Sequence, residues 1–477
     1  MGQQSTTNTL QKKHRPRHWM RRSILLILLV YLCVATLPYT RQTASADLPA
    51  DWRSSALSSS NVDSAAILET GGDALDIRLR LIANAQESIR AGTYLYAMDE
   101  SGTLVTAALL NAADRGVNVQ LIIDGLFGFL NLRFHPYAYV LGSHPNVEIC
   151  FYNPVDLTNP VSLNVRYHEK FFAIDDEWLI LGGRNISDEF LSQEGNPHYN
   201  YDRDILIHND HPGISACGLV AEYFDAMWAS GLCQSRYNSV PEYKKGAVIK
   251  ATEDLHNAWH KIETTHDLSL PDYSAFHPVE KSILLSGSID AGPKEPLVYA
   301  QMMDLMMDAQ QRVILQSPYF VMDSAMRDAL EKVCDLPIQT TLITNSAASG
   351  NNLIASADGV FHRGMTNRMD AIVLEQQTEY SMHTKSVLID DNLSIFGSFN
   401  VDPRSAYIDT ELMLAVYSKP LAAELDGYMN ALVQRSNPVS AQAKAIYPAR
   451  GAQPIPFFKA MAIYLLSPII SLFRYLA

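Results

Sequence analysis

YHEKFFAID at residues 167–175 and MHTKSVLID at residues 382–390 are two copies of one pattern. Counting from each histidine, a lysine follows at two residues, an aspartate at seven, a glycine at fourteen and an asparagine at seventeen. The sets are His168, Lys170, Asp175, Gly182, Asn185 and His383, Lys385, Asp390, Gly397, Asn400. A single copy carries little weight. Five preserved offsets, recurring from position 168 to position 383, imply a duplicated half-site, and both halves must meet for it to matter. Side chains two apart on an extended strand share a face, so His168 lies with Lys170 and His383 with Lys385. IDDEW is a predicted turn, and LILGGRN returns as a second strand that brings Asn185 beside the histidine. IDDNLSIFGSFN repeats this hairpin for Asn400.

The surroundings repeat as well. A helix is expected after Gly71-Gly72 with Asp73 as its N-cap. Upstream of the first motif, residues 91–125 read as strand, helix, strand over 92–97, 104–113 and 117–123; upstream of the second, 313–316, 325–333 and 338–344 repeat that order. The repeat unit is therefore a whole α/β half. The division is residues 1–46 as a basic N-terminus with an apolar segment, 47–240 as the first half, 241–285 as a polar, irregular linker, 286–440 as the second half, and 441–477 as a tail. Residues 126–165, rich in Pro, Asn and aromatics, read as a loop over the site.

Two imidazoles, two ammonium groups and two carboxamides suit phosphodiester chemistry. One imidazole attacks phosphorus while the other protonates the departing oxygen and then deprotonates the incoming alcohol. Lys170, Lys385, Asn185 and Asn400 would hold the non-bridging oxygens, and no metal or cofactor is called for. Each histidine needs an acceptor on its other nitrogen. YDRDILI and IDTELML follow the two motifs and align Asp202 with Asp409 and Asp204 with Glu411, which favours Asp204 and Glu411 as the orienting carboxylates. Asp175 and Asp390 belong to the catalytic pattern but also suit an ordinary turn. Ser398 has no counterpart, since Gly183 takes its place, so any hydroxyl contribution is one-sided. The other twelve histidines, His135, His144, His198 and His362 among them, read as surface or core residues.

The 37 Lys/Arg and 51 Asp/Glu give a net charge of −14; seven of the basic residues fall in residues 1–46, which hold no acid, so the body carries −21. That balance argues against nucleic acid as a partner. Lys12, Lys13, Arg15, Arg17, Arg21 and Arg22 precede the apolar run at residues 23–39, the arrangement of a signal sequence or a membrane anchor with its basic flank inside. Ala44-Ser45-Ala46 is a cleavage candidate. The catalytic body is thus expected on the outer side of a bacterial cytoplasmic membrane, with cleaved export as the alternative. Cys217 and Cys233 are either free thiols or a disulfide. The tail at 456–477 is almost wholly apolar; Pro468 is expected to interrupt any helix there, and the segment either packs on the core or lies on lipid.

The paired HxKxxxxD and GxxN motifs resemble those of the phospholipase D superfamily. NAADRGVNVQLIIDG, HPNVEICFYNP, GGRNISDEF, LITNSAASGNN and GSFNVDPRSAYIDTE narrow the resemblance to its bacterial cardiolipin synthase branch, C-type, over residues 65–435. The resemblance implies two α/β halves, each a mixed sheet flanked by helices, packed face to face around one shared site. It implies transfer of a phosphatidyl group to the hydroxyl of phosphatidylglycerol, with His168 as nucleophile and phosphatidylglycerol or phosphatidylethanolamine as lipid partners at the membrane. Basic residues should cluster at the site mouth, because an anionic lipid must approach an acidic body. Two other readings stand beside it: a phospholipid hydrolase in which water replaces the acceptor, and a non-catalytic envelope protein.

Overall fold

The computed structural model describes residues 17–40, 46–193, 195–451 and 453–476. Lys12, Lys13, Arg15 and the Ala44-Ser45 part of the cleavage candidate lie outside the described residues.

The first half contributes strands β1 (Asp63–Leu68), β2 (Ser88–Thr93), β3 (Asn118–Asp124), β4 (Val147–Tyr152), β5 (Phe171–Ile174), β6 (Trp178–Gly182), β7 (Asn200–Tyr201), β8 (Asp204–Asn209), β9 (Cys233–Arg236) and β10 (His277–Val279). The second contributes β11 (Lys281–Ser286), β12 (Arg312–Gln316), β13 (Gln339–Asn345), β14 (Ile372–Gln376), β15 (Ser381–Met382), β16 (Ser386–Ile389), β17 (Leu393–Gly397), β18 (Leu412–Tyr417) and β19 (Ser436–Pro438). The first sheet runs β10-β1-β8-β6-β5-β2-β3-β4-β9, the second β11-β18-β17-β16-β12-β13-β14-β19. Apart from β10, the orders are equivalent strand for strand. The senses match too, parallel for β2-β3-β4 and β12-β13-β14, antiparallel for the motif hairpins β5-β6 and β16-β17.

Alternation along the strands explains how the halves pack. Phe171, Ala173, Leu179, Leu181, Ile205 and Ile207 face a core shared with the second half, while Phe172, Ile174, Trp178, Ile180 and Leu206 face a separate core that includes Leu79 and Leu109 of the helices Gly71–Asn84 and Glu100–Asp114. Strand β6 packs on β17 and β18 across the interface. The architecture is two mixed sheets, face to face, with helices outside.

Four local expectations change. Thr70, not Asp73, caps the helix Gly71–Asn84, its side chain accepting from the Asp73 N–H. The stretch read as an overhanging loop contains the helices Gly125–Asn131 and Pro136–Gly142 and strand β4, because Asp124 and His135 cap both helices. The stretch read as irregular linker holds the helix Lys245–Thr265, which buries Ala251, Leu255, Trp259 and Ile262 on one stripe, and then β10 and β11, one for each sheet. Full burial of such side chains stabilises by about 1.5–3 kcal/mol each, which outweighs the polar composition. The helix Phe457–Leu472 runs through Pro468; the adjacent Ser467 hydroxyl donates to Ile463 O at 2.6 Å and to Ala357 O at 2.8 Å, fixing that turn to its neighbour. All five cysteines are free thiols.

Candidate active site

Each motif strand begins by pairing with the other half. Tyr167 bridges Thr410, and the His168 N–H donates to Thr410 O at 3.2 Å; β15 runs parallel to β7, and the His383 N–H donates to Tyr201 O at 2.7 Å. The residue after each of these acceptors is a carboxylate. Glu411 Oε1 therefore sits 2.8 Å from His168 Nδ1, and Asp202 Oδ2 sits 2.6 Å from His383 Nδ1. Every imidazole is thus held by the opposite half, its Nε2 left for other work. Aromatic edges complete the seats, Tyr94 against His168 and Phe190 against His383, each with ring centroids 5.0 Å apart.

Asp202 thus replaces Asp204 as the orienting group. In the sheet Gly182 faces Asp204, and its equivalent Gly397 faces Met413, so the structural partner of Glu411 is Asp202. The chain leaves regular strand at residues 202–203, which lets Asp202 turn toward the site. Asp204 instead points into the helix-side core, where it pairs with Arg78 at 2.9 Å and Arg184 at 3.3 Å. The Gly183 and Ser398 asymmetry follows. A Cβ at Gly183 would lie 2.4 Å from the Asp202 carboxylate oxygens, whereas the Ser398 hydroxyl donates to Glu411. Ser405, not singled out in the sequence although it lies in GSFNVDPRSAYIDTE, donates to Glu411 Oε1 at 2.6 Å.

Asp175 and Asp390 are the other correction. Both adopt a left-handed φ of 54°, and both lie at the far end of the motif strand from the histidine. Asp175 accepts from the backbone N–H groups of Gln86, Glu87 and Ser88, and Asp390 from those of Gln310, Gln311 and Arg312. Seven residues of strand span roughly 20 Å, so neither carboxylate reaches the reacting centre. Each staples the hairpin to the start of β2 or β12.

Lys170 and Lys385 are buried beside the histidines. Burial brings the Lys170 ammonium down to about 7 and the Lys385 ammonium down to about 8. Burial, reinforced by Lys170, Lys385 and Arg404, holds His168 well below its ordinary range; burial and Lys385 bring His383 to about 4. Both rings are neutral near pH 7, yet both reach solvent, at 12% and 23% side-chain exposure. Burial pushes the Glu411 carboxyl up to about 8, so the His168–Glu411 pair is uncharged overall. Asp202 is different: although burial opposes it, Lys385 and His383 hold it at about 2. The Lys385 Nζ also approaches His383 Nδ1 at 2.6 Å; a neutral ring nitrogen that donates to Asp202 cannot accept as well, so this lysine acts there through its charge. Both lysines and Asp202 act electrostatically on both imidazoles, which places the two rings in one field.

Asn185 Oδ1 accepts from the Leu95 N–H at 3.2 Å, whereas buried Asn400 Oδ1 has no donor among the described residues. A cavity of about 250 Å³ opens from His383, lined also by Phe190, Asn200, Asn345 and Asn351, with the helix Leu353–Thr366 as one wall. On the His168 side the partly buried Arg404 lies over Asp409 at 3.5 Å.

This duplicated fold with its paired His-Lys-Asn site defines a phospholipase D superfamily enzyme, of the phosphatidyltransferase and phosphodiesterase class. The profile of the family described as "Cardiolipin synthase, PLD-like domain" matches residues 79–228 and 302–433, one segment in each half. The chain belongs to that family. It is 28% identical over 398 residues to an uncharacterised protein of Helicobacter pylori, covering 74% of this chain and 75% of that one. It is 28% identical over 407 residues to cardiolipin synthase C of Escherichia coli, covering 75% and 82%. The phosphatidylserine synthase of Haemophilus influenzae superposes with a TM-score of 0.62 at 15% identity, over 87% of this chain and 95% of that one, a likeness of fold.

Proposed function

We propose that the protein is a membrane-bound phosphatidyltransferase of cardiolipin synthase type, in which residues 47–240 and 286–440 supply the two halves of one site. His168 Nε2 attacks the phosphorus of a donor phospholipid, and the bond from phosphorus to the headgroup oxygen breaks. The other imidazole, His383, takes up a second proton on Nε2 as the phosphodiester anion binds beside it, since a nearby negative charge favours the imidazolium. It gives that proton to the departing oxygen, releasing glycerol from phosphatidylglycerol or ethanolamine from phosphatidylethanolamine. His383 then takes the proton of an acceptor phosphatidylglycerol hydroxyl, whose oxygen attacks the phosphohistidine and frees His168. Lys170, Lys385, Asn185 and Asn400 stabilise the equatorial oxygens; the unmatched Asn400 carbonyl supports a carboxamide not committed to the protein.

The observation that carries this reading is the reciprocal pair His168–Glu411 and His383–Asp202, because each histidine is complete only when the halves meet. The names of cardiolipin synthase relatives support the acceptor. The body's charge of −21 supports lipid over nucleic acid, and the apolar segment Trp19–Thr40, long enough to cross a bilayer, with Arg21 and Arg22 at its start, supports an anchor with the body outside the cytoplasmic membrane.

The test is purified full-length protein in vesicles of phosphatidylglycerol, alone and with phosphatidylethanolamine, followed by lipid mass analysis. Cardiolipin is expected. Phosphatidic acid would make the enzyme a hydrolase, and no turnover would make it a non-catalytic envelope protein. His168→Ala and His383→Ala should each abolish product; substantial activity in either removes the paired mechanism.

A further inference from the structure

The helix Phe457–Leu472 is built inside out. Its polar groups face the protein: Lys459 Nζ donates to Ala348 O and Gly350 O at 2.8 and 2.7 Å, Ser467 donates to Ala357 O, and Arg474 just beyond it pairs with Asp358 at 3.0 Å. Its largest apolar groups, apart from the buried Ile463, face away. Phe457, Phe458, Met461, Tyr464, Leu465 and Ile469 are between 47% and 77% exposed. The two basic residues of the segment 456–477, Lys459 and Arg474, are both consumed as fasteners, so the outer face of the helix carries no charge. The neighbouring helix Leu353–Thr366, on which it packs, continues the surface with exposed Ile354 and Phe361. Six large side chains at such exposure present on the order of 500 Å², at the upper end of the largest apolar patch of a typical soluble monomer, a size at which such patches mark interaction sites.

The fold also shows what lies beside this surface. The turn Leu37–Thr40, which ends the apolar segment Trp19–Thr40, packs against Arg474–Leu476, just past the end of the tail helix. The two apolar elements of the chain therefore meet. The helix Leu353–Thr366 bears the tail helix on one side and walls the His383 cavity on the other.

We propose that the outer face of the helix Phe457–Leu472, with Ile354 and Phe361, is a lipid-docking surface that lies in the plane of the membrane next to the anchor and holds the His383 cavity at the bilayer surface. It deepens the lipid-transfer reading by giving the substrate an entry side, and rests on that reading only for what the surface serves.

Labelling without turnover tests it. The full-length chain is reconstituted in vesicles of phosphatidylglycerol and phosphatidylethanolamine containing a trace of phospholipid with a diazirine on its acyl chain, illuminated, digested and mapped by mass spectrometry. Label is expected on residues 457–473 as well as 19–40, and on 457–473 even where the N-terminal segment has been removed. In Leu465→Asp, the 457–473 label should fall at least fivefold relative to the 19–40 label, with an unchanged melting curve as the check on folding. Label confined to 19–40 in the unsubstituted chain overturns the proposal, as does a tail helix shielded from lipid and cross-linked to a second copy. Because nothing is read from product, a chain that hydrolyses, or does not turn over, fails the functional reading while leaving this one standing.

Discussion

Asp202 and Asp204 stand two positions apart, both buried, and do opposite jobs. Asp202 orients His383 from across the interface, while Asp204 neutralises Arg78 and Arg184 beneath the sheet. Asp202→Asn should lower kcat by about 10³–10⁴-fold, the scale seen when a triad aspartate is neutralised, with little change in melting temperature. Asp204→Asn should do the reverse, costing about 3–5 kcal/mol of stability by leaving buried arginines underpaired; the two effects interchanged would restore the sequence alignment of Asp204 with Glu411. That alignment failed because YDRDILI and IDTELML match best two residues away from the sheet register, and a break in strand at 202–203 has no local signature. The histidines, lysines and asparagines were legible because a repeated offset is visible without knowing the fold. The lysines also set a pH dependence. An ammonium lowered to about 7 or 8 is charged below that range and neutral above it, so kcat/KM in neutral detergent micelles should fall as pH rises through 7–8. A bound phosphodiester anion favours the charged form, so the limb in kcat should lie at higher pH. A profile flat from pH 6 to 9 would remove the lysines from transition-state stabilisation.

Among the elements, the motif hairpins show why a motif residue need not be catalytic. Asp175 and Asp390 each gather three backbone N–H groups and hold a left-handed turn. Asp175→Ala loses the charged acceptor and forces alanine into a conformation that costs about 1–2 kcal/mol, so a total loss of about 2–4 kcal/mol in stability is expected. Asp175→Asn, which tolerates that turn, should lose less. Below the melting transition both variants should keep kcat within about tenfold, and a loss near that of His168→Ala would return Asp175 to the chemistry. The turn role was readable from composition, but not the staple to β2, which joins residues 86–88 to 175. The helix Lys245–Thr265 was missed for a different reason. Its apolar stripe Ala251, Leu255, Trp259, Ile262 has helical spacing, yet it is diluted by charges on three other faces, and the prolines that flank it suggested a linker.

At the scale of the whole molecule, the site is held by packing more than by chain connectivity. Residues of both halves share one apolar core, β7 pairs with β15, and Tyr167 with Thr410, so separating the halves would expose that core and unseat both carboxylates at once. None of this pairing is local. Ser381 meets Asn200, and nothing near either residue announces the other; only the logic that a duplicated half-site must converge foretold it. The covalent link between the halves passes through residues 266–276, where Leu270 is exposed. The first half grips its own side of this connection through Arg80, which donates to Ser269 O and Leu270 O, and through Asn84, which donates to Leu268 O. The second side carries β10 back to β1. A protease site placed between Leu270 and Pro271 should therefore give two fragments that copurify and retain kcat within about threefold, and the uncut protein should melt in one cooperative transition. Each fragment alone would hold one histidine without its carboxylate. Fragments that part after cleavage, or two separate transitions before it, would mean that the shared core is too weak to hold His168 against Glu411 and His383 against Asp202, and that the chain itself, not the interface, assembles the site.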